Sequence, residues 1–124
     1  MNLRTPLQQV KGLGSAKEGA GHWWWQRLTA IILLPIGLWF VFSFLRLIGG
    51  DHQTVIAWLS SPWKAALVVL FLAAMFYHAK LGMQIVIEDY IHVEWLKMTC
   101  LIAMQFILLL FGVTAVLAVL RLAL

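Results

Sequence analysis

The chain has a single cysteine, Cys100, and that scarcity removes several chemistries at once. An internal disulfide has no second partner. An iron–sulfur cluster lacks its four thiolates, and a haem cannot be attached through a C-x-x-C-H pair. Acidic residues are nearly as scarce, with five Asp and Glu in 124 residues. Charged residues of both signs make up 11% of the chain against 63% hydrophobic, which is too few for the surface of a soluble domain this small. The net charge of +4 is spread along the chain, mostly beside apolar runs, so it describes no nucleic-acid patch. No flavin or nucleotide fingerprint is present either.

What the chain has is three long apolar runs, Leu28–Ile48, Ala65–Ile87 and Met98–Leu120. A hydrocarbon core of about 30 Å needs about 20 helical residues, and each run meets that length. The expected fold is all-α: an integral membrane bundle of three transmembrane helices. Residues 1–27 form a basic tail and interface segment, and residues 28–124 form the anchor. The first run is longer than a signal-peptide core, and no A-x-A-like site closes it, so it reads as a retained helix. Arg4, Lys11, Lys17 and Arg27 place the N-terminus on the cytoplasmic side, and an odd helix count places the C-terminus outside. The tail does not read as a transit peptide, which points to a bacterial inner membrane. Residues 1–21 are polar and glycine-rich and read as irregular. HWWWQR at 22–27 reads as an interfacial aromatic belt. Pro35 marks a potential kink in the first helix, and Ser61-Pro62 a start signal for the second.

His78 lies roughly midway along the second run. Ionisable residues at that depth are costly and are functional by default. A neutral imidazole is a good haem or metal ligand, and it also serves as an interhelical hydrogen-bonding group. His22, His52 and His92 fall outside the runs. Gly82, Ile85 and Asp89 follow His78 at four, seven and eleven residues, so all four share one helix face. Gly82 permits close approach of a flat macrocycle or another helix. A six-coordinate haem at His78 needs its second axial ligand from another chain.

Asp89-Tyr90 closes the second run at the membrane edge. It reads either as a solvated helix end with a belt tyrosine or as a site for a polar headgroup. In the second reading the phenol donates to a carbonyl and the carboxylate supports it. Lys80 points away from His78, for snorkelling or for pairing with a partner chain. Arg27 either anchors the first helix or pairs with a carboxylate such as a haem propionate. Gln105 is the notable polar group of the third run, and Cys100 reads as a small helix- or lipid-facing residue.

HWWWQRLTAIILLP, followed by His78, Gly82, Asp89 and Tyr90 in the pattern H-x-x-x-G-x-x-x-x-x-x-D-Y, resembles the smaller membrane-anchor subunit of bacterial succinate dehydrogenase, respiratory complex II. The likeness covers nearly the whole chain. It implies one b-type haem shared by two anchor subunits, with His78 as this chain's axial ligand. It implies that Tyr90 hydrogen-bonds a ubiquinone carbonyl with Asp89 beside it. Arg27 then lies near the haem propionates and the quinone pocket, and His22 takes a propionate or interface role. The implied partners are a second, cytochrome b anchor subunit, an iron–sulfur subunit, a flavoprotein subunit and membrane lipid. The chain alone is not the succinate-oxidising catalyst. Two rivals stay open: an anchor for a quinol:fumarate reductase, and a cofactor-free membrane interaction protein that uses His78 for packing.

Overall fold

The computed structural model describes the backbone of residues 15–124 and side chains from residue 20 onward. Among the described residues it has four helices: α1 (Ser15–Leu47), α2 (His52–Leu59), α3 (Pro62–Tyr90) and α4 (Glu94–Ala123). Three stretches are long and apolar enough to cross a membrane: Ala20–Leu47, Pro62–Tyr90 and Glu94–Ala123. They run to 28, 29 and 30 residues. A crossing needs only about 20, so their ends extend into the headgroup layers.

Three segments differ from the sequence expectation, one of them the second connection: residues 88–97 lie between the expected runs, yet α3 continues to Tyr90 and α4 starts at Glu94. Helix α1 begins at Ser15, so residues 15–21 are helical rather than irregular. Extending an existing helix adds one hydrogen bond per residue fixed, and that gain outweighs the weak glycine signal. The remainder of the expected irregular tail, 1–14, lies outside the described residues. The connection between the first two spans also contains its own helix, α2. Asp51 caps it, its Oδ1 accepting from the Thr54 backbone N–H at 2.9 Å and from the Thr54 hydroxyl at 2.8 Å. Gly49 supplies the reversal before it, with φ at +87°, and the Gly50 N–H donates back to the Leu47 carbonyl at 3.0 Å.

Helix α3 starts at Pro62, after Ser61 in an extended conformation. Proline suits that position because its missing N–H would have no helical partner there. Helix α1 continues through Pro35. Helices α1 and α4 both pack on α3. Phe71 of α3 meets Phe40 of α1 in a stacked pair 4.8 Å apart, beside Gly37. On the other side of α3, Phe76 lies against Gly112 of α4. Small residues at these crossings let the helices approach closely, which matters where no hydrophobic effect drives association. The buried core is thin, limited to residues such as Leu59, Val68, Leu81 and Met104. Large apolar side chains on α1 and α4 face outward, including Phe42 and Phe106. Such surfaces suit lipid or partner helices.

Each end of the bundle carries aromatic residues. At the far end, Trp39 stacks on Trp58 at 5.6 Å and tilts against Trp63 at 6.1 Å. The Lys64 ammonium lies over both Trp58 and Trp63. At the near end, Trp23, Trp24, Trp25, Tyr90 and Trp95 are all exposed.

Candidate functional site

The site starts from three polar residues of α1. His22, Gln26 and Thr29 are spaced i, i+4 and i+7, which puts them on one helix face. That face meets α3 near His78 and Gly82. The Gln26 amide nitrogen would lie 3.9 Å from a Cβ on Gly82, and Trp25 meets Tyr77 edge-on at 6.0 Å. Thr29 is 6% exposed and is the one buried polar residue among the described residues.

The Thr29 hydroxyl is 2.9 Å from His78 Nδ1. It also lies 2.8 Å from the Trp25 carbonyl and 3.0 Å from the Gln26 carbonyl of its own helix. The contact with His78 joins two spans through hydrogen bonding. Such interhelical bonds average only about 0.6 kcal/mol in membranes. Aromatic pairs contribute about 0.5–1.5 kcal/mol each, so the tryptophans and phenylalanines outweigh this bond as packing glue.

His78 is half-buried and follows Pro62 by sixteen residues in a 29-residue helix, which puts it near the middle of the span. Tyr90 is twelve residues further on, about 18 Å at 1.5 Å per residue. His22 Nε2 and Gln26 Oε1 are buried atoms without a hydrogen-bond partner among the described residues. Buried polar atoms normally have partners, so this pair marks a place suited to an added donor and acceptor.

The structure brings His78 and Gly82 together with α1. It does not bring Arg27, Asp89 or Tyr90 into contact with them. Arg27 is exposed, and its guanidinium lies 5.0 Å above the Trp23 ring. Asp89 is exposed, and Tyr90 is 79% exposed. All three stand at the near end, where a second chain or a ligand has access to them. Lys80 turns to the other side of α3, 5.6 Å from the Tyr77 ring. There, with Gln105, it borders an apolar groove of about 510 Å³ between α3 and α4. His78 does not line that groove. Cys100 is half-buried, and no cluster of metal-ligating side chains occurs among the described residues.

Sequence reasoning gave no role to Gln26 or Thr29. The signal was there: three polar residues at helical spacing where an apolar run begins. His22 and Gln26 read as part of the interfacial belt at 22–27, and Thr29 as part of the first apolar run.

Three membrane-length helices, the second with a histidine at mid-span, define a multi-pass membrane protein. The sequence profile of the succinate dehydrogenase/fumarate reductase transmembrane subunits matches residues 1–118, and the chain belongs to that family, as a hydrophobic membrane anchor. A succinate dehydrogenase hydrophobic membrane anchor subunit from Rickettsia bellii is 37% identical over 118 residues, covering 95% of this chain and 94% of its own. The protein of the same description from Rickettsia conorii is 34% identical, covering 84% and 83%. That from Paracoccus denitrificans is 32% identical, covering 73% and 70%.

Proposed function

We propose that this chain is one of two membrane anchors of a succinate:ubiquinone oxidoreductase in a bacterial inner membrane. It holds one side of a haem b and one side of a ubiquinone site. The observation that carries this reading is His78, held at mid-span by a contact from a second helix. Its donor set fits the haem: one imidazole nitrogen is engaged by Thr29, and the other has no hydrogen-bond partner among the described residues. Gly82, one turn on, presents no side chain to an approaching macrocycle. His78 and a histidine of the second anchor subunit would hold the haem, which would supply a one-electron redox centre when bound.

Arg27 has no carboxylate partner among the described residues, so its guanidinium is available to a propionate or to the quinone pocket. Tyr90 donates a hydrogen bond to a quinone carbonyl at the membrane edge. Asp89 supports it there, both by orienting nearby donors and by relaying protons. As electrons arrive the carbonyl oxygens become more basic, so the phenol stabilises the reduced form more than the oxidised one. The near end then faces the cytoplasm and meets the iron–sulfur subunit, which carries electrons from the flavoprotein. The tail 1–27 belongs to that face, and residues 28–124 are the anchor.

The test is an absorbance spectrum of the purified four-subunit complex, native and His78→Ala. A reduced b-type signal in the native complex that disappears in the variant supports the reading. Full haem content in the variant refutes His78 as ligand, and a native complex without the signal favours a cofactor-free anchor. A reporter fused after Leu124 tests the topology, being active only if it requires export.

A further inference from the structure

Thr29 is the one buried polar residue of the described chain, and haem ligation by itself gives it no task. Its hydroxyl has three neighbours at bonding distance: the Trp25 carbonyl, the Gln26 carbonyl and His78 Nδ1. A hydroxyl has one proton and two lone pairs. The two carbonyls only accept, so either of them needs the hydroxyl's proton. Of the three neighbours, the ring nitrogen alone can supply a proton. The arrangement that satisfies the most groups sends the hydroxyl's proton to its own helix, as threonines in helices commonly do. The oxygen then accepts from His78 Nδ1–H.

We propose that Thr29 is a positioning residue for His78, and that it fixes the imidazole as the Nδ1–H tautomer with the Nε2 lone pair presented outward. A neutral imidazole carries one N–H, so placing it on Nδ1 leaves Nε2 deprotonated and able to bind iron. The inference rests on His78 being a haem ligand. The geometry adds which nitrogen binds and what holds the ring. The backbone of α1 holds the hydroxyl, and the hydroxyl holds the ring, so ring orientation is set by a neighbouring helix and not by α3 alone. Partners of this kind raise the basicity of a metal-bound imidazole, and their loss typically costs roughly 10–100-fold in metal affinity. Greater basicity also favours the more positive, oxidised iron, so removing the bond moves the haem potential upward.

The experiment compares Thr29→Val, which keeps shape and removes the hydroxyl, with Thr29→Ser, which keeps the hydroxyl. Both are made in the full complex, with His78→Ala as control. Three quantities are read: the low-spin electron paramagnetic resonance signature of the oxidised haem, its midpoint potential, and the rate of haem loss in detergent. Thr29→Val is expected to shift the signature, raise the potential and speed haem loss by about 10-fold or more. Thr29→Ser is expected to stay near the native values. Native values in Thr29→Val overturn the inference while leaving His78 as ligand. Equal damage in both variants also overturns it, since packing alone would then explain the effect. Full haem in the His78→Ala control removes the ligand reading and this inference together. Should Thr29→Val fail to assemble, Thr29→Ala provides the same comparison against Thr29→Ser.

Discussion

The two ends of the α1–α3 contact are built on opposite plans. At the far end, Trp39 meets Trp58 and Trp63, and Phe40 meets Phe71. Ring lies against ring, and the Lys64 cation caps the cluster over two tryptophan faces. At the near end the same two helices meet through His22, Gln26, Thr29 and His78 beside the single Trp25–Tyr77 pair, and two buried polar atoms there lack hydrogen-bond partners among the described residues. The far-end ring cluster is built from this chain alone. On the proposed reading, a cofactor or a second subunit completes the near end from outside. The difference divides a single helix pair: ring packing dominates one end, and polar groups gather at the other.

The largest test of this contrast is a crossed pair of variants. His78→Ala should abolish haem binding in the complex while the three helices remain inserted, as read by the haem spectrum and by protease protection. Trp39→Leu should do the reverse. It breaks two aromatic contacts worth about 0.5–1.5 kcal/mol each, a loss of about 1–3 kcal/mol of anchor stability. The haem spectrum of the assembled complex should be unchanged. A Trp39 variant that loses haem without losing stability would erase the division between the ends.

A smaller effect is expected at Tyr90. Tyr90→Phe keeps the exposed ring and removes one hydroxyl. One hydrogen bond to a neutral oxygen is worth about 1 kcal/mol, and one to a charged oxygen up to about 3. Succinate:quinone activity should fall severalfold or more, while succinate oxidation by an artificial acceptor upstream of the quinone stays native. Equal loss in both assays would indicate damaged assembly instead.

Much of the fold was legible because length and apolarity suffice to specify a membrane helix. The Pro62 start and Tyr90 end of α3 followed from Ser61-Pro62 and from the polar EDY run. Helix α2 escaped because eight residues leave no periodic signature, and its cap depends on a Thr54 contact with Asp51. The helical stretch from Ser15 escaped because glycine and charge suggested a loop, whereas extension from an existing helix decides the local balance. His78 was visible from its depth alone. Its partner Thr29 was not, because a threonine near a helix start satisfies its own backbone and looks complete. Only the approach of α3 reveals its unused lone pair.

Within the far end the turn before α2 offers a finer test. Gly49 has φ at +87°, where a side chain is strained. Gly49→Ala should cost about 1–2 kcal/mol, measured as lowered thermal stability of the anchor. Haem and quinone signals should not change, because the near end shares no contact with the turn.

The smallest effect is a pH dependence at Asp51. Hydrogen bonds from the Thr54 backbone N–H and then from its hydroxyl hold the Asp51 carboxyl below its ordinary value of 3.8. A depressed carboxylate stabilises the fold above its unfolded value, and that stability is lost as pH falls through the lower folded value. The native anchor should therefore keep its α2 cap throughout the neutral range and lose it only in strong acid. Asp51→Asn keeps an oxygen acceptor but not the charge, so it should flatten this acid limb and leave neutral stability nearly native. The measurement is hydrogen exchange at the Thr54 and Val55 amides, followed from neutral pH downward and corrected for intrinsic rates. Exchange at Thr54 that is independent of pH in the native chain would show that the cap does not depend on the carboxylate charge.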